Sequence, residues 1–134
     1  MQIEFTPIDL SKQHAYREVL SKCPQATSDY SFVNLWAWAT VYALEWAWAQ
    51  NLIWIRQNLP KQTYWAPVGD WENTDWPKII NGFPEVSTEF VRVPETLVET
   101  WKNFSGQSMT LVEDRNQWDY IYDARELVDL PGNR

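Results

Sequence analysis

The spacing of apolar residues changes from helical to strand-like at Leu44, and this change constrains the fold more than any other feature of the sequence. Before it, apolar side chains recur at intervals of three and four residues along one face, which predicts a helix. These residues are Phe32, Leu35, Trp36 and Ala39. Ser28, Asp29 and Ser31 precede them and are typical of a first helical turn, where their oxygens accept hydrogen bonds from free backbone amides. We expect an aromatic helix ending near Tyr42 that packs on a sheet or forms the wall of a ligand pocket.

A β-hairpin is predicted directly after this helix. Its strands run from Leu44 to Ala49 and from Leu52 to Gln57, with a two-residue turn at Gln50–Asn51. A third strand at Thr63–Ala66 completes an antiparallel meander. Outside the meander, the patterns predict strands at Ile3–Phe5, Thr88–Val93 and Met109–Val112, helices at Lys12–Lys22 and Glu95–Phe104, and a helix that ends at Gly82. This order predicts one α+β domain with a mixed sheet.

Length and charge exclude several classes of protein. A chain of 134 residues forms one ordinary domain, and 45% hydrophobic with 22% charged residues is a globular balance. The formal net charge is −7, from 11 basic and 18 acidic residues. Because phosphate binding requires a concentrated positive face, we expect no direct contact between this chain and nucleic acid.

The single cysteine and the single histidine exclude further classes of site. Cys23 has no partner for an internal disulfide or a cysteine-rich zinc site, and His14 alone excludes metal sites that need two imidazoles. The two residues lie nine positions apart on one predicted helix, which is a poor arrangement for a nucleophile and its base. We therefore expect neither a metal ion nor a cofactor.

No segment has the pattern of a secretory signal or of a membrane-spanning helix. The longest apolar stretch, Leu35–Ala49, is interrupted by Thr40 and Glu45 and is too short to cross a bilayer. We therefore expect a cytoplasmic protein without a transmembrane segment.

Tryptophan is unusually abundant, with ten residues in the chain. Each ring brings a large apolar surface and one N–H group that needs a partner, so we expect some rings at a surface that another segment covers. The candidates for such an interface lie in the aromatic helix and in the first strand of the hairpin: Trp36, Trp38, Trp46 and Trp48.

Acidic groups are concentrated near the carboxyl end. The segment Glu113–Asp123 carries four carboxylates and one arginine in eleven residues. Paired carboxylates serve general acid–base catalysis when burial separates their pKa values, and carboxylate oxygens also bind Mg²⁺ or Ca²⁺. A calcium loop is not supported, because no Asp-x-Asp-x-Asp-Gly motif is present. An Arg115 ion pair in a solvated turn is the structural alternative, and Asp119, beside aromatic residues, is the best candidate for a partly buried carboxylate.

Several of these segments resemble a known family. The clearest matches are Ser28–Trp38 and Glu113–Tyr122, and shorter ones are Ala66–Gly69, Val93–Glu95 and Glu126–Arg134. In this order and spacing, they resemble a bacterial family of unknown function that is related to the C-terminal domain of phosphatidylglycerol lysyltransferase.

The resemblance implies a GNAT-like acyltransferase fold, with a mixed, mainly antiparallel sheet flanked by helices, of which relatives usually carry two copies in tandem. Such relatives transfer aminoacyl groups, often from aminoacyl-tRNA, to an amine or hydroxyl of a lipid or peptide. Residues 1–134 would then be a single domain, the N-terminal half of a longer protein. Its partner would be a second GNAT-like domain of the same polypeptide, or the chain would form a homo-oligomer.

Two functions are consistent with the residues and the resemblance together. The first is half of an acyl or aminoacyl transferase, in which Asp114, Asp119, Tyr120 and Tyr122 line part of the catalytic cleft. The second is a non-catalytic structural or partner-binding domain that docks through an aromatic face. We favour the first function for the parent family and the second for this chain by itself.

Overall fold

A sheet of six short strands lies at the centre of the protein, in a computed structural model that describes residues 3–82, 88–105, 109–119 and 125. The strands are β1 (Thr6–Pro7), β2 (Leu44–Ala49), β3 (Leu52–Gln57), β4 (Thr63–Trp65), β5 (Val68–Gly69) and β6 (Phe90–Val91). Their spatial order is β1-β2-β3-β4-β6, and β5 also pairs with β3. Among the described strand pairs, only β4 and β6 are parallel to each other.

The hairpin of β2 and β3 confirms the predicted strands. The two strands are paired along their full length. Gln50 and Asn51 connect them, and both have left-handed backbone angles, with φ of 58° and 61°. Two consecutive left-handed residues characterise the type I′ turn, whose twist matches that of the flanking strands.

Four α-helices accompany the sheet in the described ranges. They are α1 (Gln13–Leu20), α2 (Phe32–Trp38), α3 (Trp76–Gly82) and α4 (Glu95–Ser105). The predicted aromatic helix is α2, and the Ser31 hydroxyl at its start accepts a hydrogen bond from the Asn34 amide at 3.3 Å. It ends four residues before the predicted boundary, because Ala43 has a left-handed φ of 46° that turns the chain into β2. No helix among the residues that the structure describes has both the length and the apolar character needed to cross a membrane.

The strands differ from the prediction at several places, and only Phe90–Val91 of the predicted strand Thr88–Val93 is formed. β1 lies at residues 6–7 instead of residues 3–5, and proline is tolerated there because β1 is at the edge of the sheet. Residues 109–112 form no regular strand. β5 was not predicted, and its pairing with β3 requires Gly69: the φ is +150°, and a Cβ would lie 2.9 Å from the Asn51 carbonyl oxygen.

Aromatic rings connect the helices to the sheet. Four consecutive residues of β3, Leu52 to Ile55, are buried, so both faces of this central strand are covered. Tyr16 of α1 stacks on Trp46 of β2 at 5.8 Å between ring centroids, and Phe32 of α2 packs on the same ring at 6.3 Å. Trp101 of α4 meets a ring of β6 edge-on at 5.0 Å. This mainly antiparallel sheet, flanked by helices, confirms the α+β prediction.

Candidate functional site

A small pocket lies where the parallel strands β4 and β6 end. Its volume is about 200 Å³, and the residues that line it are Asp29, Trp38, Tyr42, Trp65, Arg92 and Gln117. Trp65 is the last residue of β4, and Arg92 directly follows β6. Ligand sites of open sheets are commonly found outside the carboxyl ends of parallel strands. We refer to this feature as the β4–β6 pocket.

Arg92 is the charged centre of the β4–β6 pocket. Its Nη1 forms an ion pair with Asp29 Oδ2 at 3.1 Å and donates a hydrogen bond to Gln117 Oε1. The guanidinium carbon lies 4.8 Å from the centroid of the Trp65 ring and 5.8 Å from that of Tyr42. The side chains of Arg92 and Asp29 are only 15% and 26% exposed, so salt screens this ion pair less than one at the surface.

The backbone of Arg92 is also unusual. Its φ of 56° lies in the left-handed region, which a residue with a β-carbon enters at a cost of about 1 kcal/mol. Such strain persists only where the surrounding contacts hold it, and it is concentrated at binding and catalytic sites. The strained backbone therefore supports the β4–β6 pocket as the candidate site.

Tyr30 joins the two strands beside this pocket. Its hydroxyl donates a hydrogen bond to the Arg92 carbonyl at 2.7 Å and accepts one from the Ala66 amide at 2.9 Å. The residue is 3% exposed, and its ring meets Trp65 edge-on at 5.6 Å. Burial is the main cause that raises the pKa of the Tyr30 hydroxyl well above its usual value. The hydroxyl therefore stays protonated at neutral pH and serves as a fixed donor and acceptor.

The acidic segment is joined by hydrogen bonds to the start of the aromatic helix. The carboxylate of Asp119 accepts hydrogen bonds from the Ser28 amide at 2.7 Å and from the Ser28 hydroxyl at 2.6 Å. Asp114 accepts one from the Asn116 amide at 3.1 Å and thereby begins a short 3₁₀ turn. That turn brings Gln117 to the β4–β6 pocket, whereas Asp114 and Asp119 do not line it.

Other features of the acidic segment differ from the prediction. Asp119 is exposed, so the expectation of a partly buried carboxylate is wrong, and its carboxylate accepts hydrogen bonds from Ser28. Arg115 lies over the Trp118 ring at 5.1 Å. Tyr120 and Tyr122, the remaining candidates for the cleft, lie outside the described residues, as does the matching segment 126–134.

The four tryptophans predicted to form an interface differ in exposure. Trp36 and Trp38 are each 46% exposed, and Trp48 is 37% exposed. Trp46 is 0% exposed, because rings from α1 and α2 cover it, so it forms no part of the domain surface. The alternation along β2 places Trp46 and Trp48 on one face of the sheet but does not show how far the helices extend over that face.

Cys23 and His14 are not brought together for catalysis. Cys23 Sγ accepts a hydrogen bond from the Gly69 amide at 3.1 Å, and burial raises the pKa of this thiol, which disfavours the reactive thiolate. His14 is exposed and contacts Glu18 at 3.2 Å on its own helix. Among the described residues, no three histidine, cysteine, aspartate or glutamate side chains lie close enough together to hold a metal ion.

A second pocket, of about 320 Å³, lies between α4 and the loop before α3. Its walls are both aromatic and polar and include Trp71, Thr96 and Phe104. Among the described residues that line it, Glu72 is the one ionisable residue. It lacks the convergence of opposite charges and rings that distinguishes the β4–β6 pocket, so we do not consider it the candidate site.

Two residues that line the β4–β6 pocket were singled out in the sequence for other roles: Asp29 at the start of the aromatic helix and Trp38 as an interface candidate. Asp29 was one of three residues expected to cap the aromatic helix; Ser31, another of the three, does so, and Asp29 pairs with Arg92. One signal was present: Asp29 is the only charged residue between Lys22 and Glu45, so it required a partner from elsewhere in the chain. Nothing in the local pattern indicated that this partner is Arg92.

Comparison with known proteins shows what the domain resembles. No curated protein matches the chain at a significant level. A crystal structure from Bacteroides thetaiotaomicron VPI-5482, described as a conserved protein of unknown function, is similar with a TM-score of 0.66 and 18% sequence identity. The similarity covers 79% of this chain and 37% of that one, so this chain spans well under half of the length of that relative.

A protein family matches most of the sequence. Its description is phosphatidylglycerol lysyltransferase, C-terminal, and the match extends over residues 21–134. It therefore includes the β4–β6 pocket and both segments that Ser28 and Asp119 join. The mainly antiparallel sheet with helices on its faces agrees with the GNAT-like fold expected for such a domain. The chain belongs to the family of phosphatidylglycerol lysyltransferase C-terminal domains.

Proposed function

We propose that this chain is one domain of an acyl or aminoacyl transferase related to phosphatidylglycerol lysyltransferase, and that it supports the reaction without carrying it out. Membership of the family supports the first part of the proposal. The second part rests on the arrangement of the carboxylates around the candidate site.

The described acidic side chains near the pocket face protein groups. Asp119 directs its carboxylate at Ser28, and Asp114 begins its own turn. Asp29, the acidic residue within the pocket, is paired with Arg92. A general base must lie within hydrogen-bond reach of the proton that it removes. This single observation, that each carboxylate has a structural partner, is the reason to assign the chain a supporting role.

The catalytic residues would then lie in a second GNAT-like domain of the same polypeptide, with a homo-oligomer as the alternative arrangement. The similar crystal structure supports a longer protein, because the region like this chain is 37% of its length. We expect the intact mass of the protein isolated from its source cell to be near twice 15.9 kDa. A mass near 15.9 kDa would contradict the tandem arrangement and direct attention to the homo-oligomer.

A kinetic experiment tests the supporting role. In the full-length protein, Asp119→Asn is expected to leave kcat for aminoacyl transfer to phosphatidylglycerol within about threefold of the wild-type value, because the Asp119 carboxylate is bonded to Ser28. Loss of a general base would instead lower the rate about 10²–10⁴-fold. The rate is measured as labelled amino acid appearing in the lipid fraction. Ser28→Ala is the matched control, since it removes one of the same hydrogen bonds from the other side.

The two variants separate structure from chemistry. Equal, small effects in Asp119→Asn and Ser28→Ala support a structural role for the hydrogen bond. A loss of kcat of about a hundredfold in Asp119→Asn alone would make Asp119 a catalytic residue and contradict the proposal. Absence of transfer by the wild-type protein would contradict the assignment as a lipid aminoacyl transferase.

A binding function is the second candidate, and the exposed tryptophans favour it. The rings of Trp36, Trp38 and Trp48 are partly exposed to solvent, whereas other tryptophan rings are buried in the core. A partner on this aromatic face would cover them. We also propose that the protein is cytoplasmic and that this domain makes no direct contact with nucleic acid, which its net charge of −7 supports.

A further inference from the structure

The guanidinium of Arg92 has hydrogen-bond donors in the β4–β6 pocket that no described residue uses. Both acceptors described around it, Asp29 and Gln117, contact Nη1, which carries two of the five N–H groups of a guanidinium. Nε and Nη2 carry the other three, and they have no hydrogen-bond partner among the described residues. Both nitrogens remain accessible to solvent, because neither is among the fully enclosed side-chain atoms that lack a partner in this part of the chain.

Nε and Nη2 form the edge of a guanidinium that binds a carboxylate side-on. Arg56 uses this edge within the same protein, because its Nε and Nη2 both donate to Glu45 Oε2, at 3.0 and 2.5 Å. Two parallel N–H groups match the plane of a carboxylate, and hydrogen bonds between charged groups are stronger than neutral ones. The same edge of Arg92 has no carboxylate among the described residues. We therefore expect an occupant with two anionic oxygens in one plane.

The contacts around Arg92 hold it in position for such a group. Its guanidinium lies over the Trp65 ring and pairs with Asp29, and its carbonyl accepts the hydrogen bond from the Tyr30 hydroxyl. Because these contacts exist without a ligand, binding requires little further ordering of the side chain. The Asp29 carboxylate also limits the charge that fits, since it repels a dianion such as phosphate more strongly than a monoanion. A single carboxylate therefore suits the site best.

The aromatic walls of the pocket suit a flat apolar group. Trp38, Tyr42 and Trp65 all line it. The rings of Trp38 and Tyr42 lie 5.5 Å apart between centroids, and Trp38 is 46% exposed, so it has ring surface that a ligand can cover. Aromatic rings pack favourably on one another, in addition to the effect of burying apolar area. The volume of about 200 Å³ limits the ligand to one ring with a short polar group, since a cavity of about 150 Å³ accommodates benzene.

We propose that the β4–β6 pocket binds a small aromatic carboxylate, with its carboxylate on Nε and Nη2 of Arg92 and its ring against Trp38 and Tyr42. An aminoacyl ester has no free carboxylate at the acyl carbon, so this ligand differs from the group that the proposed transferase would transfer. The inference therefore goes beyond the proposed function and stands or fails separately from it.

Isothermal titration calorimetry with benzoate and with benzamide tests whether the pocket requires the charge. Benzamide has the same ring and nearly the same shape as benzoate but is neutral. We expect benzoate to bind and benzamide to bind at least about tenfold more weakly, because the amide cannot accept charge-assisted hydrogen bonds from Arg92. Equal affinities, or no binding of benzoate at millimolar concentrations, overturn the inference. This comparison needs no variant, so it is decisive even if a substitution disturbs the fold.

Two tryptophan variants test the contact with the ring. Trp38→Leu removes one wall of the pocket and is expected to weaken benzoate binding about tenfold. Trp36→Leu is the matched control, because Trp36 is also 46% exposed and lies on the same helix but does not line the pocket. It is expected to bind benzoate like the wild type. Leucine favours helices, so both variants retain α2. Unchanged binding in Trp38→Leu, or an equal loss in both variants, contradicts the placement of the ring.

Arg92→Lys separates the planar fork of the guanidinium from its charge. Lysine keeps the positive charge but has no pair of parallel N–H groups in one plane. We expect this variant to bind benzoate about tenfold more weakly than the wild type. If Arg92→Lys binds benzoate as tightly as the wild type, the carboxylate does not lie on Nε and Nη2, and the proposed site is wrong.

Discussion

Replacing Tyr30 with phenylalanine is expected to lower the free energy of unfolding by about 3 kcal/mol, because a buried hydroxyl with two partners is removed. The change leaves the Ala66 amide, at 0% exposure, without its acceptor and the Arg92 carbonyl without its donor. Each unsatisfied buried group costs about 1–3 kcal/mol. Urea denaturation followed by tryptophan fluorescence measures the difference.

Tyr16→Phe provides the matched control for this experiment. The Tyr16 hydroxyl is also buried, but it makes one hydrogen bond, to the Tyr30 carbonyl at 2.7 Å. Its loss is expected to lower the free energy of unfolding by about 1 kcal/mol, so Tyr30→Phe should destabilise the protein at least about twice as much as Tyr16→Phe. Equal decreases of the unfolding free energy in Tyr30→Phe and Tyr16→Phe would show that the Ala66 amide and the Arg92 carbonyl form hydrogen bonds with water in the variant.

The second large effect is expected at Arg92. Arg92→Ala removes the ion pair with Asp29 and the stacking on Trp65, and it leaves a half-buried carboxylate without its cation. Removing one partner of a fully buried ion pair costs about 3–5 kcal/mol, and the remaining exposure of both groups reduces our expectation to about 2 kcal/mol. Urea denaturation at low and high salt checks the value and its electrostatic origin.

Arg92→Gly separates the side chain from the backbone. Glycine enters the left-handed region without a steric penalty, whereas alanine does not, and the φ at this position is 56°. The glycine variant should therefore be more stable than the alanine variant by about 1 kcal/mol, which reverses their usual order. If alanine is the more stable of the two, the backbone at residue 92 relaxes out of the left-handed region once the guanidinium is gone.

Local sequence patterns predicted the central part of the fold because the forces there are local. The alternation of residues 44–57 and the two turn residues determine the β2–β3 hairpin, whose strands and turn agree with the prediction. The position of β1 was missed by a few residues, since an edge strand has one neighbour and a weak pattern. β5 was missed because it consists of two residues, Val68 and Gly69, whose pairing depends on a close approach to β3.

The candidate site was less predictable, because its contacts join distant segments. The pairing of Asp29 with Arg92 and that of Ser28 with Asp119 depend on how the sheet and helices bring those residues together. A single sequence gives the charged residues but does not show which of them pair in the folded protein. For the same reason, the acidic cluster invited a catalytic interpretation, whereas the structure gives Asp114 and Asp119 hydrogen bonds to nearby protein groups.

The β4–β6 pocket takes its walls from the 3₁₀ turn that contains Asp29, from the end of α2 and the turn after it, from the ends of two strands, and from the turn that contains Gln117. Such a cavity has no counterpart in the denatured chain, so a molecule that fits it binds the folded state alone. Occupancy and folding are then linked by mass action, and a ligand at a hundred times its Kd adds about 2.7 kcal/mol to the free energy of unfolding. A rise in melting temperature therefore reports binding to the folded protein before any substrate has been identified.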